Sequence, residues 1–214
     1  MTEITTERDK ITSFARSMFE RGLTSGSTGN ISSRLSDGTL LVTPTGSSFG
    51  FLDPARISHL DQDGTLMSGD APTKEMPLHS AFYTTRSNTG AVVHLHSSHS
   101  VALSVLPDTD PDDVLPHLTA YGIMRLGRVK LLPYFMPGDP AMGQAVEGLA
   151  GKRSAVLLAH HGPVVAGRDL EAAVYATEEL EEGAKLALLT RGLQPVQLSA
   201  TQIMGLIKHF KVDW

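Results

Sequence analysis

The stretch at residues 92–99, VVHLHSSH, places three histidines within six residues at the end of an apolar run. A short run of this kind is typical of a buried strand. Because side chains alternate between the faces of a strand, His94 and His96 point the same way and Leu95 points the opposite way. Two imidazoles at this spacing can both reach one divalent cation. The alternative is a pair of partly exposed strand residues, and the spacing alone does not decide between the two.

A second histidine pair, His160 and His161, stands at the end of another apolar run in LLAHHGP. The chain has no cysteine, so any metal must be held by imidazole and oxygen. Catalytic zinc needs a third protein ligand, and this pair can supply it. Two strand-end pairs therefore favour a metal site. The adjacent His99 is expected to act indirectly or to lie at the surface, and the isolated His59, His79, His117 and His209 are expected to be ordinary structural or surface residues.

The composition bounds the class of protein. The chain has 214 residues, 41% of them hydrophobic, which suits one globular domain over residues 1–214. A net charge of −5 predicts no binding to nucleic acid or to an anionic membrane. No apolar run approaches the roughly 20 residues of a spanning helix. The polar N-terminus, MTEITTERDK, does not resemble a secretory signal, so we expect a cytoplasmic protein.

Periodicity and capping signals predict alternating helices and strands. A helix with apolar residues from Ile11 ends at Gly22, and strands at residues 30–34 and 39–43 flank an Asp-Gly turn. Thr73 is the expected N-cap of a helix reaching about residue 86. Further helices are expected at about residues 98–106, 139–149 and 169–190 and after residue 199, with a strand at 91–97 and a pair of strands around a turn at 154–167. This mixture predicts an α/β fold built in layers.

Two features of the helical segments lead to specific expectations. On the helix at residues 169–190, Glu181 and Lys185 have the spacing of an i,i+4 ion pair on a solvated face. Ser199 and Gln202 have the spacing of a capping box for the last helix.

Glycine-rich and hydroxyl-rich turns suggest a phosphate site. GSTGN and TPTGSS supply small residues and backbone N–H groups of the kind that cradle phosphate, and Lys74 adds a cation. Neither a dinucleotide fingerprint nor a P-loop is present, so a small phosphorylated substrate is expected rather than a nucleotide. Glu75 is expected in the first turn of its helix, where a carboxylate is common for structural reasons alone.

Taken in order, the motifs GSTGNIS, TPTG, SGDAPTKE, HLH and AHHGPVVAG resemble those of the class II aldolase/adducin family over about residues 11–190. The resemblance implies a single-domain three-layer α/β/α fold with a central, mostly antiparallel sheet. It also implies a homotetramer with active sites at subunit interfaces. Each subunit would bind one Zn²⁺, or another divalent ion such as Co²⁺ or Mn²⁺, through three histidines and would act on a small sugar phosphate.

The same resemblance assigns roles to residues of this chain. The implied metal ligands are His94, His96 and His161. The implied acid/base is Glu75, and Tyr121 matches loosely a tyrosine donated across the interface. Residues implied in substrate binding are Asn30, Thr45, Gly46 and Thr73. Lys74 departs from the serine of the fuculose-phosphate aldolases, so it is expected to bind the phosphate or to orient a carboxylate, a role that Arg125 could also fill.

Further motifs, including TPTGSS, AVVHLHS and EELEE, resemble a narrower group in the family, the 3-oxo-tetronate 4-phosphate decarboxylases. That resemblance implies a metal-dependent carboxy-lyase producing dihydroxyacetone phosphate and CO₂ from a phosphorylated four-carbon sugar acid. The alternatives are a sugar-phosphate aldolase of the fuculose or ribulose type and a non-catalytic adducin-like scaffold. The sequence gives no account of Trp214 or of His160.

Overall fold

A computed structural model describes residues 2–214, which form seven α-helices and eight strands. The helices are α1 (Glu3–Glu20), α2 (Met76–Thr85), α3 (Ser98–Ser104), α4 (Ala120–Leu126), α5 (Ala141–Glu147), α6 (Leu170–Leu189) and α7 (Ala200–Phe210). The strands are β1 (Asn30–Arg34), β2 (Leu40–Val42), β3 (Ser58–Leu60), β4 (Leu66–Ser68), β5 (Ala91–His94), β6 (Lys130–Leu132), β7 (Ala155–Leu158) and β8 (Gly162–Gly167). Within residues 2–214, no helix is both long enough and apolar enough to cross a membrane.

All eight strands belong to one sheet, in the order β4-β3-β2-β1-β5-β8-β7-β6. Every neighbouring pair is antiparallel except β6 and β7. The prediction of an α/β fold with a mostly antiparallel sheet is therefore confirmed. In the register of β1 and β5, Asn30 lies opposite His94 and Ser32 lies opposite Val92.

Helices cover both faces of this sheet. On β5, Val93 faces α1 and α6 and joins a core cluster with Ile11 and Val174. Val92, one residue earlier, faces the opposite way and packs in a second cluster with Phe82 of α2 and Met142 of α5. This alternation is the signature of a strand buried on both faces. The layers confirm the three-layer α/β/α arrangement and place His94, on the Val92 face, beneath α2.

Two helix starts differ from their predictions. Helix α1 begins at Glu3, well before Ile11, with the Thr2 hydroxyl accepting a hydrogen bond from the backbone N–H of Thr5. Its first turns are mostly polar and have no fully buried residue, although Ile4 packs against the core, so the apolar repeat marked only the buried part of the helix. Thr73 is not the N-cap of α2. Glu75 occupies that position, and the Thr73 hydroxyl instead accepts from the Glu75 backbone N–H at 3.3 Å.

Other capping signals gave the correct boundaries. The Asp169 side chain accepts from the backbone N–H of Ala172 at the start of α6, as predicted. The Ser199–Gln202 capping box is present at the start of α7. These polar caps work locally, which is why sequence spacing alone could find them.

The predicted Glu181–Lys185 ion pair is wrong. Lys185 pairs with Glu182 instead, at 3.4 Å. Glu181 is only 9% exposed, and its two carboxylate oxygens accept hydrogen bonds from His99 and from Ser100, including both backbone N–H groups. It thereby caps the start of α3 from a neighbouring helix. Burial by itself would raise the pKa of Glu181, but these hydrogen bonds outweigh burial and hold its pKa below the ordinary value of 4.5.

We expect Glu181→Gln to destabilise the fold by about 1–3 kcal/mol at neutral pH, because charge-assisted hydrogen bonds to buried donors are lost. Since the pKa of Glu181 is lowered on folding, the stabilisation is fully present above pH 4.5 and fades as the pH falls through the lowered value. Urea denaturation of both proteins across this pH range measures the difference. Glu182→Gln, at the exposed neighbour, serves as the control and should cost less than about 0.5 kcal/mol. A pH-independent difference for Glu181→Gln would contradict the assignment.

Candidate metal centre

Three histidines from separate parts of the sheet meet at one point. His94 ends β5, His96 follows two residues later, and His161 directly precedes β8. Their ring centroids are 4.9 Å apart for His94 and His96, 4.8 Å for His94 and His161, and 4.5 Å for His96 and His161. One nitrogen of each ring lies within 4.8 Å of the others. The structure thus brings together all three predicted ligands.

The close approach of β8 to β5 makes this meeting possible. Gly162 has φ +150°, and a Cβ there would lie 2.1 Å from the backbone oxygen of Leu95. Only glycine therefore lets these two backbone segments approach to this distance. The Leu95 backbone N–H donates to the Pro163 carbonyl at 3.1 Å, extending the pairing beyond the last residue of β5. This contact places His161 beside His94 and His96.

The imidazoles are held in the form that binds a metal. Burial, and then the neighbouring rings of His96 and His161, keep the pKa of His94 well below its ordinary value. Burial and His161 lower the pKa of His96 to about 4. Burial also lowers the pKa of His161, against the opposing effect of Glu75. All three rings are therefore neutral at pH 7, as a ligand must be.

A hydrogen bond fixes the tautomer of His94. Its Nδ1 lies 2.8 Å from the Pro163 carbonyl oxygen, so Nδ1 carries the hydrogen and donates it. The lone pair of Nε2 then points into the cluster. Backbone contacts of this kind orient metal-binding histidines in many proteins. The neutral rings, the shared focus and this tautomer all fit a divalent metal ion.

Glu75 completes the polar side of the cluster. As the N-cap of α2, it places one carboxylate oxygen 3.4 Å from His94 Nε2 and the other 3.5 Å from His161 Nε2. It is 9% exposed, so most of its surface is in contact with the rest of the protein. A carboxyl group so placed can exchange a proton with a molecule bound at the histidines.

The two glycine-rich turns lie at the end of the sheet where β5 ends, one before β1 and the other after β2. Gly29 has φ +85°, and a Cβ there would lie 2.9 Å from the His94 backbone oxygen, so the GSTGN loop runs along the end of β5. In the second turn, Thr45 and Gly46 are exposed, and the Thr45 backbone N–H donates to Ala71 at 3.0 Å. This bond ties the second turn to the segment that carries Thr73 and Lys74.

Asn30 lies inside this region, but its side chain is already engaged. It is buried, with its amide nitrogen 2.7 Å from Glu75 and its amide oxygen 2.5 Å from His79. Sequence reasoning set His79 aside as an ordinary residue, yet it is fully buried and directly behind Asn30. The missed signal is the recurrence of a polar group every fourth position, at 75, 79 and 83, which places these groups along one side of the helix.

Other predicted residues lie outside the cluster. Tyr121, on α4, is 56% exposed and lines a surface pocket with Arg125, Tyr175 and His99, which does not include the three metal-site histidines. His160 is exposed in the β7–β8 turn with φ +59° and is not one of the converging rings.

The C-terminal Trp214 is partly buried. It packs beside His117 and under Arg128.

A family model for the class II aldolase and adducin N-terminal domain matches residues 9–188 of the chain. The chain belongs to this family. Members of the class II aldolase family typically depend on a divalent metal, in keeping with the three-histidine cluster. In this fold the site lies where β5 ends and β8 begins.

Individual relatives refine the comparison. The chain is 47% identical over 200 residues to the 3-oxo-tetronate 4-phosphate decarboxylase of Escherichia coli (strain K12), covering 93% of this chain and 94% of that protein. It is 33% identical to the L-fuculose phosphate aldolase of the same strain, over 91% of this chain and 89% of that protein. The crystal structure of YgbL from Escherichia coli superposes with a TM-score of 0.92 at 45% identity, covering 96% and 99% of the two chains.

The metal site can be tested with two adjacent histidines. We expect His161→Ala to weaken Zn²⁺ binding by at least about 100-fold, since even partners behind the ligands are worth about 10–100-fold. His160→Ala is the matched control and should bind about one equivalent, like the unaltered protein. Metal analysis after dialysis against buffered Zn²⁺ measures both. Equal retention of zinc by the two variants would show that His161 is not a ligand.

Proposed function

We propose that this protein is a metal-dependent decarboxylase that converts 3-oxo-tetronate 4-phosphate to dihydroxyacetone phosphate and CO₂. The observation that carries the proposal is the 47% identity to a decarboxylase of this name across nearly the whole of both chains. The three-histidine cluster with an adjacent carboxylate provides the chemistry that the reaction requires.

The reaction breaks one carbon–carbon bond and adds one proton. The C1–C2 bond of the substrate breaks, its electrons enter the C3 ketone, and C1 leaves as CO₂. The resulting enediolate of dihydroxyacetone phosphate then takes a proton at C2. A divalent ion held by His94, His96 and His161 would act as a Lewis acid that stabilises this negative charge.

Glu75 is the proposed proton carrier. Its carboxyl group lies beside two of the three imidazoles and is held by the Asn30 amide, so it keeps one position relative to a substrate bound there. A fixed acid at hydrogen-bonding distance from C2 delivers its proton to one face of the enediolate. It is recharged from solvent between turnovers.

The ends of the substrate are assigned to the surrounding turns. The phosphate would be bound by Thr45, Gly46 and Thr73. Asn30 would add a further contact, because only one of its two amide hydrogens is donated to Glu75. Lys74 is exposed on the same segment, and within residues 2–214 it forms no ion pair. Its cation is available for the phosphate or for the departing carboxylate.

The remaining features of the proposal follow the family. The native metal would be Zn²⁺, one per subunit, with Co²⁺ or Mn²⁺ as alternatives that imidazoles accept. The protein would act in the cytoplasm as a homotetramer whose active sites lie at subunit interfaces. The exposed position of Tyr121, beside Arg125, supports a role across such an interface.

A second candidate is a sugar-phosphate aldolase. The 33% identity to an L-fuculose phosphate aldolase favours it, because a retro-aldol cleavage also passes through an enediolate. A retro-aldolase must in addition remove a proton from a substrate hydroxyl, whereas the decarboxylase need not. The non-catalytic scaffold is disfavoured because the histidine cluster and Glu75 are intact.

Turnover separates these functions. Metal-replete protein incubated with 3-oxo-tetronate 4-phosphate should release CO₂ and dihydroxyacetone phosphate in equal amounts, and a chelator should abolish both products. Release of dihydroxyacetone phosphate or an aldehyde from fuculose- or ribulose-type phosphates, without CO₂ from the acid, would overturn the proposal and indicate an aldolase.

Glu75→Gln tests the proton carrier. Because Gln is similar in shape but has no carboxyl proton, we expect kcat to fall by about 10²–10⁴-fold. The metal content of both proteins is measured in parallel to separate loss of the acid from loss of the ion. An unchanged kcat with unchanged metal would remove Glu75 from the mechanism.

A further inference from the structure

A continuous line of buried polar side chains runs from Glu75 into the layer between β1 and α2. Asn30 Nδ2 lies 2.7 Å from Glu75 Oε2, and Asn30 Oδ1 lies 2.5 Å from His79 Nε2. His79 Nδ1 lies 2.7 Å from Ser32 Oγ, which lies 2.9 Å from the Tyr83 hydroxyl. Each of the five residues is at most 9% exposed.

The secondary structure explains this line. Asn30 and Ser32 are two apart on β1, so they project from the same face of the sheet. Glu75, His79 and Tyr83 are four apart, so they lie along the same side of α2. The two rows interdigitate, and His79 occupies the centre, between the two strand residues.

The hydrogen bonds in the line can point in only one direction when Glu75 is a carboxylate. A carboxylate only accepts, so Asn30 turns its amide nitrogen toward Glu75, to which one N–H donates, and its oxygen toward His79. His79 must then donate from Nε2. Burial, together with the nearby His94, lowers the pKa of His79 to about 3, so the ring has one hydrogen and its Nδ1 can only accept.

The same reasoning settles the far end of the line. Because His79 Nδ1 accepts, the Ser32 hydroxyl donates to it, and the Tyr83 hydroxyl donates to Ser32. Burial raises the pKa of Tyr83, which keeps its hydroxyl hydrogen in place. All four donors therefore point toward Glu75, and each bond polarises the next.

We infer that His79 is a positioning residue for Glu75: through Asn30 it fixes which atom of the amide faces the carboxylate. Without a donor at Nε2, the buried Oδ1 of Asn30 loses this partner, and the amide is held only through its contact with Glu75. The amide then no longer fixes the position of the carboxylate. This inference rests on the proposed role of Glu75 as the proton carrier.

Two substitutions at position 79 separate positioning from packing. Both His79→Gln and His79→Asn remove the ring and its packing. Gln reaches the place of Nε2 and can still donate to Asn30, whereas Asn reaches only the place of Nδ1 and keeps the contact with Ser32.

If His79 positions Glu75, His79→Asn lowers kcat for CO₂ release by about 10–100-fold. Its KM should change by a smaller factor than its kcat, because Thr45, Gly46 and Thr73 are untouched and only the Asn30 contact with the phosphate is affected. His79→Gln should restore kcat to within about 5-fold of the unaltered protein. A purely structural role predicts equal losses in both variants. Equal losses, an unaltered kcat in His79→Asn, or a loss confined to KM would each overturn the inference.

A second measurement on the unaltered protein does not depend on turnover or on either variant being active. In protein labelled with ¹⁵N at histidine, the His79 resonances are identified by their absence from His79→Gln or, if that variant does not fold, from His79→Asn or His79→Phe. Nε2 should be the protonated nitrogen and Nδ1 the unprotonated one. Protonated Nδ1 or a doubly protonated ring would overturn the inference even if no CO₂ is released. Absence of CO₂ release from the unaltered protein, with the expected tautomer, would instead count against the proposed function alone.

Discussion

The close approach between the start of β8 and the end of β5 is the contact on which the site depends. Where Gly162 meets the backbone of Leu95, no side chain can intervene, so the pairing with β8 continues past the end of β5 to Leu95. His94 and His96 come from the β5 side of this contact, and His161 comes from the β8 side. The core clusters on both faces of the sheet hold the contact rigid, because Val93 and Val164 are fully buried beside it. A histidine cluster assembled in this way is positioned by the backbone rather than by flexible side chains.

The second organising feature is the line of buried polar side chains that runs from Glu75 into an otherwise apolar layer. Burying His79, Ser32 and Tyr83 costs desolvation, which their mutual hydrogen bonds offset. An all-apolar interface between α2 and the sheet would serve stability equally well. The line ends on Glu75, the group to which we assign proton transfer. Its function there explains why the desolvation of these polar side chains is tolerated. Glu181 plays a comparable part on the other face, where it secures α3 behind the residues that follow His96.

Local patterns in the sequence were enough to find much of this. Alternation placed His94 and His96 on one face, and the Asp169 and Ser199 caps located two helix starts, because these features involve residues close together in the chain. Contacts across the fold were not accessible in this way. Glu181 has the spacing of a surface ion pair with Lys185, and only the packing of α6 against α3 turns it inward. His79 likewise gains its role from Asn30, 49 residues away.

Delivery of a proton to one face of the enediolate is the central claim, and the reaction run in D₂O tests it most directly. If Glu75 is held as described, the dihydroxyacetone phosphate will carry one deuterium on the carbon that lost CO₂, in a single configuration. NMR and stereospecific enzymatic analysis of that hydroxymethyl group measure the number and the handedness of the label. A racemic label would show that the enediolate is protonated by bulk solvent. That result would contradict a positioned acid in this site.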